Sequence, residues 1–204
     1  MDSQNEKTNR RPLKSRSTGW AAVASRAVLA TGLSANQVSF LGILIAGLGA
    51  WAMVEAPTRP ILFVAAAVAI QVRLLANMLD GMVAVEGGRG GPTGAIWNEF
   101  PDRIEDSLFL VAAGYAAELP WLGWLSALLA AICAYVRLLG GTLGRPQDFG
   151  GPMAKPHRMA ALTIGCLVAT IWFGGLQVAL GAIAVGTALT IVLRLMRLSK
   201  ALRA

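Results

Sequence analysis

The sequence predicts an all-α fold: an integral membrane six-transmembrane-helix bundle, with an N-terminal amphipathic surface helix and both termini cytoplasmic. Three observations lead there. Of the 204 residues, 55% are hydrophobic and only 14% charged, and mean hydropathy is +0.59, a composition of membrane proteins rather than soluble domains. Six segments reach the ~20 mainly apolar residues that a spanning helix needs. The basic residues fall between alternate segments, so every loop can be assigned to a side without conflict.

Residues 1–13 are polar and read as a disordered basic tail, followed by one membrane domain over 14–204. No cleavable signal is expected, because Arg26 interrupts the apolar stretch from Ser17 to Leu33 and no small-residue cleavage site is clear. Trp20 to Leu29 reads as a surface helix, with Trp20 at headgroup depth and Arg16 and Arg26 toward anionic lipid, or as a plain topogenic tail. Spans are expected over 36–55, 60–84, 94–117, 121–141, 153–173 and 176–196. Lys7, Arg10, Arg11, Lys14, Arg16 and Arg26 precede the first; Arg145, Lys155 and Arg158 lie around the fourth turn; Arg194, Arg197, Lys200 and Arg203 close the chain. The positive-inside rule makes these regions cytoplasmic, and the opposite connections carry only Glu55, Arg59 and Glu118. The net charge of +7 is therefore topology, and no nucleic-acid partner is expected, since the basic residues flank apolar spans. Cys133 and Cys166 match no metal spacing and are expected to pack inside spans.

Against this background Asn77, Asp80, Asn98, Asp102 and Asp106 stand out. An aspartate at the centre of a membrane helix costs about 2.5 to 3.5 kcal/mol on insertion scales, and such residues ordinarily face a cavity, a partner or an ion. Asn77 and Asp80 share a face at the end of the second span, and Asn98, Asp102 and Asp106 form an i, i+4, i+8 stripe on the third. The linker from Glu86 to Gly94, rich in glycine, is a turn that lets the two helices run antiparallel with their polar stripes together. Converging oxygen donors suit a hard divalent cation, Mg²⁺ or Mn²⁺, shared with substrate phosphates. Gly81 and Ala84, a turn apart, permit close helix approach or a flat floor for a ligand, or simply pack helices.

Written out, the stretch is Asn77-x2-Asp80-Gly81-x2-Ala84-Val85-x8-Gly94-x3-Asn98-x3-Asp102. It resembles the signature of the CDP-alcohol phosphotransferase family, Asp-x2-Asp-Gly-x2-Ala-Arg-x8-Gly-x3-Asp-x3-Asp, with each spacing preserved. The segment from Ser34 to Ser39 is similar to the family's approach to its first span, and Lys155, His157 and Arg158 lie where members carry basic residues before the fifth. The resemblance implies that an acceptor alcohol attacks the β-phosphorus of a CDP-linked lipid such as CDP-diacylglycerol, releasing CMP in phospholipid biosynthesis. It implies Mg²⁺ or Mn²⁺ as cofactor, with two cations polarising the diphosphate and a carboxylate taking the hydroxyl proton. By position, Asn77, Asp80, Asn98 and Asp102 occupy the four acidic places, Asp102 that of the base, and Gly81, Ala84 and Gly94 line the nucleotide with Asn77 and Asp80. A homodimer in the bacterial inner membrane, its site facing the cytoplasm, is implied as well.

The chain departs from the signature at Asn77, Asn98 and Val85, losing two negative charges and one positive. Asp106 and Glu99 are the candidates to restore metal-binding charge, and the pattern resembles a divergent bacterial branch of the family. Arg103 and Glu105 read as supporting partners or as helix-end charges, and Asp148 as a partner for a nearby basic residue. Arg137, Lys155, His157 and Arg158 form a basic rim that suits an acceptor bearing a phosphate, although topology and anionic lipid ask for the same composition. Three functions fit the cluster: an active transferase, a catalytically inactive nucleotide- or lipid-binding partner subunit, and a channel or transporter with an acidic relay.

Overall fold

The computed structural model describes residues 23, 30–86 and 93–203, apart from the side chains at 81, 83–86, 95 and 98. The tail 1–13, the surface helix expected around Trp20 to Leu29 (save Val23), and the side chains of Gly81, Ala84, Val85 and Asn98 lie outside this set. From residue 35 on, the described residues form six helices in order: α1 Ala35–Glu55, α2 Ile61–Glu86, α3 Gly94–Ala116, α4 Pro120–Thr142, α5 Lys155–Ala169 and α6 Gly174–Arg203. No strand occurs among the described residues.

Local chemistry explains the ends. Ser34 caps α1 through a reciprocal box, its hydroxyl accepting from the Gln37 amide at 3.3 Å while the Gln37 side chain accepts from the Ser34 amide at 2.9 Å. Proline opens α4 and α5, where a missing N–H costs nothing. Lys200 and Arg203 occupy the last turn of α6, complementing its dipole and carrying it past the expected end at 196.

Among the described residues four helices are long and apolar enough to cross a membrane: α1, the Ile61–Asp80 part of α2, α4 and α6. The other two expected spans differ for separate reasons. Helix α3 has 23 residues, but Glu99, Asp102, Arg103, Glu105 and Asp106 crowd its first half. Helix α5 has only 15 residues, about 22 Å at 1.5 Å per residue, against an expected 153–173. Both bury ion pairs on one side, through Asp106 and Arg158, and expose apolar residues such as Phe100 and Ile164 on another.

Helix α1 packs on α2 and α3, α3 on α4, α4 on α6, and α5 on α6 and α2. The core is built from small and medium side chains, among them Ala46, Met53, Phe63, Ile70, Phe109, Leu162 and Leu180. Cys166 is a free thiol buried in it, and Cys133 one buried in a separate cluster with Val136 and Ile191, packed inside helices as expected. At one crossing a Cβ on Gly114 of α3 would lie 2.6 Å from the Gly123 Cα of α4, so the backbones touch there. An apolar groove of about 670 Å³ runs along α1, α3 and α4, from Arg103 to Tyr115 and Trp124.

The two ends of the bundle differ. Trp51, Tyr115, Trp121, Trp124 and Trp172, all well exposed, lie at the end where α1, α3 and α5 finish and α4 begins. The charged residues collect at the other, where α1, α3 and α5 begin and α2, α4 and α6 finish.

Candidate functional site

Asp80 and Asn77 come from the final turns of α2, and Asp102 from the third turn of α3. Antiparallel packing brings them together. Asn77 donates its side-chain amide to Asp102 Oδ1, and Ser39 of α1 donates its hydroxyl to Asp80 Oδ2 at 2.8 Å. Pro101, inside α3 immediately before Asp102, offers no amide to the preceding turn and loosens the helix there.

Every acid of α3 near this point is met by a cation. Lys155, at the start of α5, pairs with Asp102 Oδ1, and Arg103 reaches Asp102 Oδ2 at 3.4 Å. Asp106 is clamped from two sides: Arg73 Nη2 lies 2.7 Å from its Oδ1 and Arg158 Nη2 lies 3.3 Å from its Oδ2. Arg73 also pairs through Nε with Glu105. Glu99 accepts from Arg137 Nη2 at 2.5 Å and lies 3.6 Å from Arg103. The pairs around Arg73 and Asp106 are desolvated: Arg73 and Glu105 are 0% exposed, Asp106 and Arg158 3%. A buried ion pair persists only when both partners remain in place.

The segment between α4 and α5 is held against the site by arginines. Arg137 reaches Gln147 and sits 5.1 Å from the Phe149 ring centroid. Arg158 donates to the Met153 carbonyl at 3.1 Å, and Arg194 donates to the Gly150 carbonyl at 3.0 Å and the Cys133 carbonyl at 2.9 Å. Gly151 has φ +123°, and a Cβ there would lie 2.3 Å from Thr190 Cγ2, so no other residue fits without a shift. Asp148 pairs with Arg197 at 3.0 Å, the basic partner expected for it. Burial opposes its ionisation, but the Gly150 amide and Arg197 outweigh this and hold its carboxyl below the usual carboxylate range.

Of the residues singled out in the sequence, Asn77, Asp80, Glu99, Asp102, Asp106, Arg137, Lys155 and Arg158 converge at one end of the bundle. His157 does not join them; it is exposed on α5. Gly94 opens α3 with open space around it. Both carboxylate oxygens of Asp106 are taken up by guanidinium groups, and Glu99 is engaged by Arg137. Arg73 went unremarked in the sequence, although a lone arginine between Ile61 and Asp80 is itself a visible signal, and Ser39 stood out only as the end of the Ser34 to Ser39 segment.

No family model matches the chain. Its fold is shared with solved structures of a phosphatidylinositol phosphate synthase. The structure of Mycobacterium tuberculosis phosphatidylinositol phosphate synthase (PgsA1) in complex with manganese and citrate gives a TM-score of 0.75 at 24% identity, over 86% of this chain and 87% of that one. The same synthase with CDP-DAG bound gives 0.74 at 24% identity, over 86% and 91%. In sequence, the chain is 29% identical over 144 residues to inner membrane protein YnbA of Escherichia coli (strain K12), covering 69% of this chain and 70% of that protein.

Proposed function

We propose that the chain is a CDP-alcohol phosphotransferase of the inner membrane, moving a phosphatidyl or other substituted phosphate group from a CDP-lipid such as CDP-diacylglycerol to an acceptor alcohol, with release of CMP. The observation that carries this reading is the contact of Asn77 of α2 with Asp102 of α3, two places of the signature drawn together from two helices, with Asp80 one turn beyond Asn77. The shared fold with a synthase that has CDP-DAG bound supports it.

The donor set fits a divalent cation. Among the described residues no three acidic, histidine or cysteine side chains group to hold a metal. Mg²⁺, however, ordinarily takes only one or two carboxylates and completes its shell with water and substrate phosphate. At Asp102 Oδ1 the Lys155 ammonium stands where such an ion would be held. Asp80 and Asp102, with the amide oxygens of Asn77 and Asn98, would hold Mg²⁺ or Mn²⁺. A bound ion would supply Lewis-acid polarisation of the diphosphate.

The chain's own groups do the rest. Lys155 leaves Asp102, whose freed oxygen takes the proton of the acceptor hydroxyl. The acceptor oxygen then bonds to the β-phosphorus, and the phosphorus–oxygen bond to CMP breaks, its electron pair leaving with CMP. Arg137, Arg158 and the released Lys155 bind an acceptor that carries a phosphate, since guanidinium and ammonium groups meet phosphate oxygens with charge assistance. Ser39 fixes the rotamer of Asp80. The basic end faces the cytoplasm and the aromatic end the outer interface, in keeping with the usual placement of such residues. A second reading, an inactive nucleotide- or lipid-binding partner subunit, draws on the amides at 77 and 98 and on the cations already seated on Asp102.

CMP release decides between them. Purified protein with CDP-diacylglycerol, Mn²⁺ or Mg²⁺ and a panel of alcohols and alcohol phosphates is expected to form CMP with one acceptor, and Asp102→Asn to form none while still folded. Nucleotide binding without CMP from any acceptor would favour the partner subunit.

A further inference from the structure

Arg73 belongs to the site but not to the signature. It lies on α2 one turn before Asn77 and is 0% exposed. Its Nη2 donates to Asp106 at 2.7 Å and to the Asp102 backbone carbonyl at 3.3 Å, and lies 3.5 Å from Asp102 Oδ1. Its Nε pairs with Glu105. Helix α1 leaves room for this pair: a Cβ on Gly42 would lie 2.5 Å from Glu105 Oε1. Arg73 Nη1 has no hydrogen-bond partner among the described residues, so the guanidinium is not fully spent on its neighbours.

The acids of α3 are all matched. Glu99, Asp102, Glu105 and Asp106 are each paired with one or more of Arg73, Arg103, Arg137, Lys155 and Arg158. Aspartates at 77 and 98 would add two negative charges, the complement of one divalent ion. The chain has amides there instead, and it places a permanent cation against the two nearest remaining aspartates. A guanidinium is always charged, presents its donors in a fixed fork and is more weakly hydrated than an ammonium, so it suits a buried place among carboxylates.

We propose that Arg73 is a built-in cation that takes over the electrostatic role of one divalent ion, so that the site binds a single Mn²⁺ or Mg²⁺ rather than two. This rests on the site being the metal-assisted transferase centre described above, but its test needs no turnover. Mn²⁺ binding to the detergent-purified chain is counted by the electron paramagnetic resonance of free Mn²⁺, for wild type, Arg73→Gln, Glu105→Gln and the double variant. Wild type is expected to bind one ion. Arg73→Gln is expected to tighten Mn²⁺ roughly tenfold or to admit a second ion, because a neighbouring positive charge is gone. The double variant, which has the net charge of wild type, is expected to behave like Arg73→Gln.

Two ions in wild type would overturn the proposal, and so would no binding at all. A double variant that binds as wild type does would overturn it too, since Arg73 would then serve Glu105 alone. If Arg73→Gln does not fold, the double variant decides, because neutral amides strand no buried charge. One bound ion in wild type with tighter binding in the double variant, but no CMP release, would count against the transferase reaction and support the built-in cation.

Discussion

Asp106 gives a measure of how much each side chain of the site carries. In the sequence it is one turn beyond Asp102 and a candidate to restore a lost metal ligand; in the fold it joins Arg73 of α2 to Arg158 of α5. Removing one member of a buried ion pair leaves the other charge uncompensated, at about 3–5 kcal/mol. Asp106→Asn is therefore expected to lose stability of that order together with CMP release, read by thermal unfolding in detergent beside the activity assay. Full activity in this variant would remove Asp106 from the working site. Asn77, Asp80, Asp102 and Asp106 were legible because polar groups at helical register are conspicuous in apolar sequence. The partners of those groups were not, because a salt bridge between residues 33 or 52 positions apart leaves no trace in spacing.

At the scale of elements, the segment between α4 and α5 is the piece most exposed to conditions. Asp148 holds it to α6 through Arg197 and accepts from the Gly150 amide at 2.7 Å. Its carboxyl titrates below the ordinary carboxylate value in the folded chain. Its contribution to stability is therefore complete above the unfolded value of about 4 and is lost as pH falls through the lowered one. Hydrogen exchange at the Gly150 amide is expected to accelerate in that window, and Asp148→Asn to remove the pH step. An unchanged step in the variant would assign it to another group. Helix bounds were readable to within a few residues for four elements, since apolar length sets them, while the basic end of α6 carries it to Arg203, beyond the expected 196. Helix α5 was shorter than its apolar stretch, because a helix held by Arg158 and packed on α2 and α6 need not reach across a bilayer by itself.

For the whole molecule, charge and aromatic rings predict orientation. Arg145 stands at the charged end and Arg59 in the connection at the aromatic end, between α1 and α2. Cysteine placed at 59 is expected to react with an impermeant maleimide from outside intact cells, and cysteine at 145 only after the membrane is opened. Cys133 and Cys166 are 2% and 0% exposed, so they give a quiet background. Labelling of both positions from one side would overturn the proposed topology.

Composition, apolar run length and the placement of lysine and arginine determine that this is a helical membrane protein and where its helices lie, since the bilayer imposes length and burial on each segment independently. The polar stripes, also local, mark where its chemistry is to be sought. Only the tertiary structure decided which charges meet. It put Arg73 between Glu105 and Asp106 and set Lys155 on Asp102. It also left His157 outside the cluster. Such pairings depend on how helices rotate and cross, and those angles are set by the packing of small residues along every contact at once.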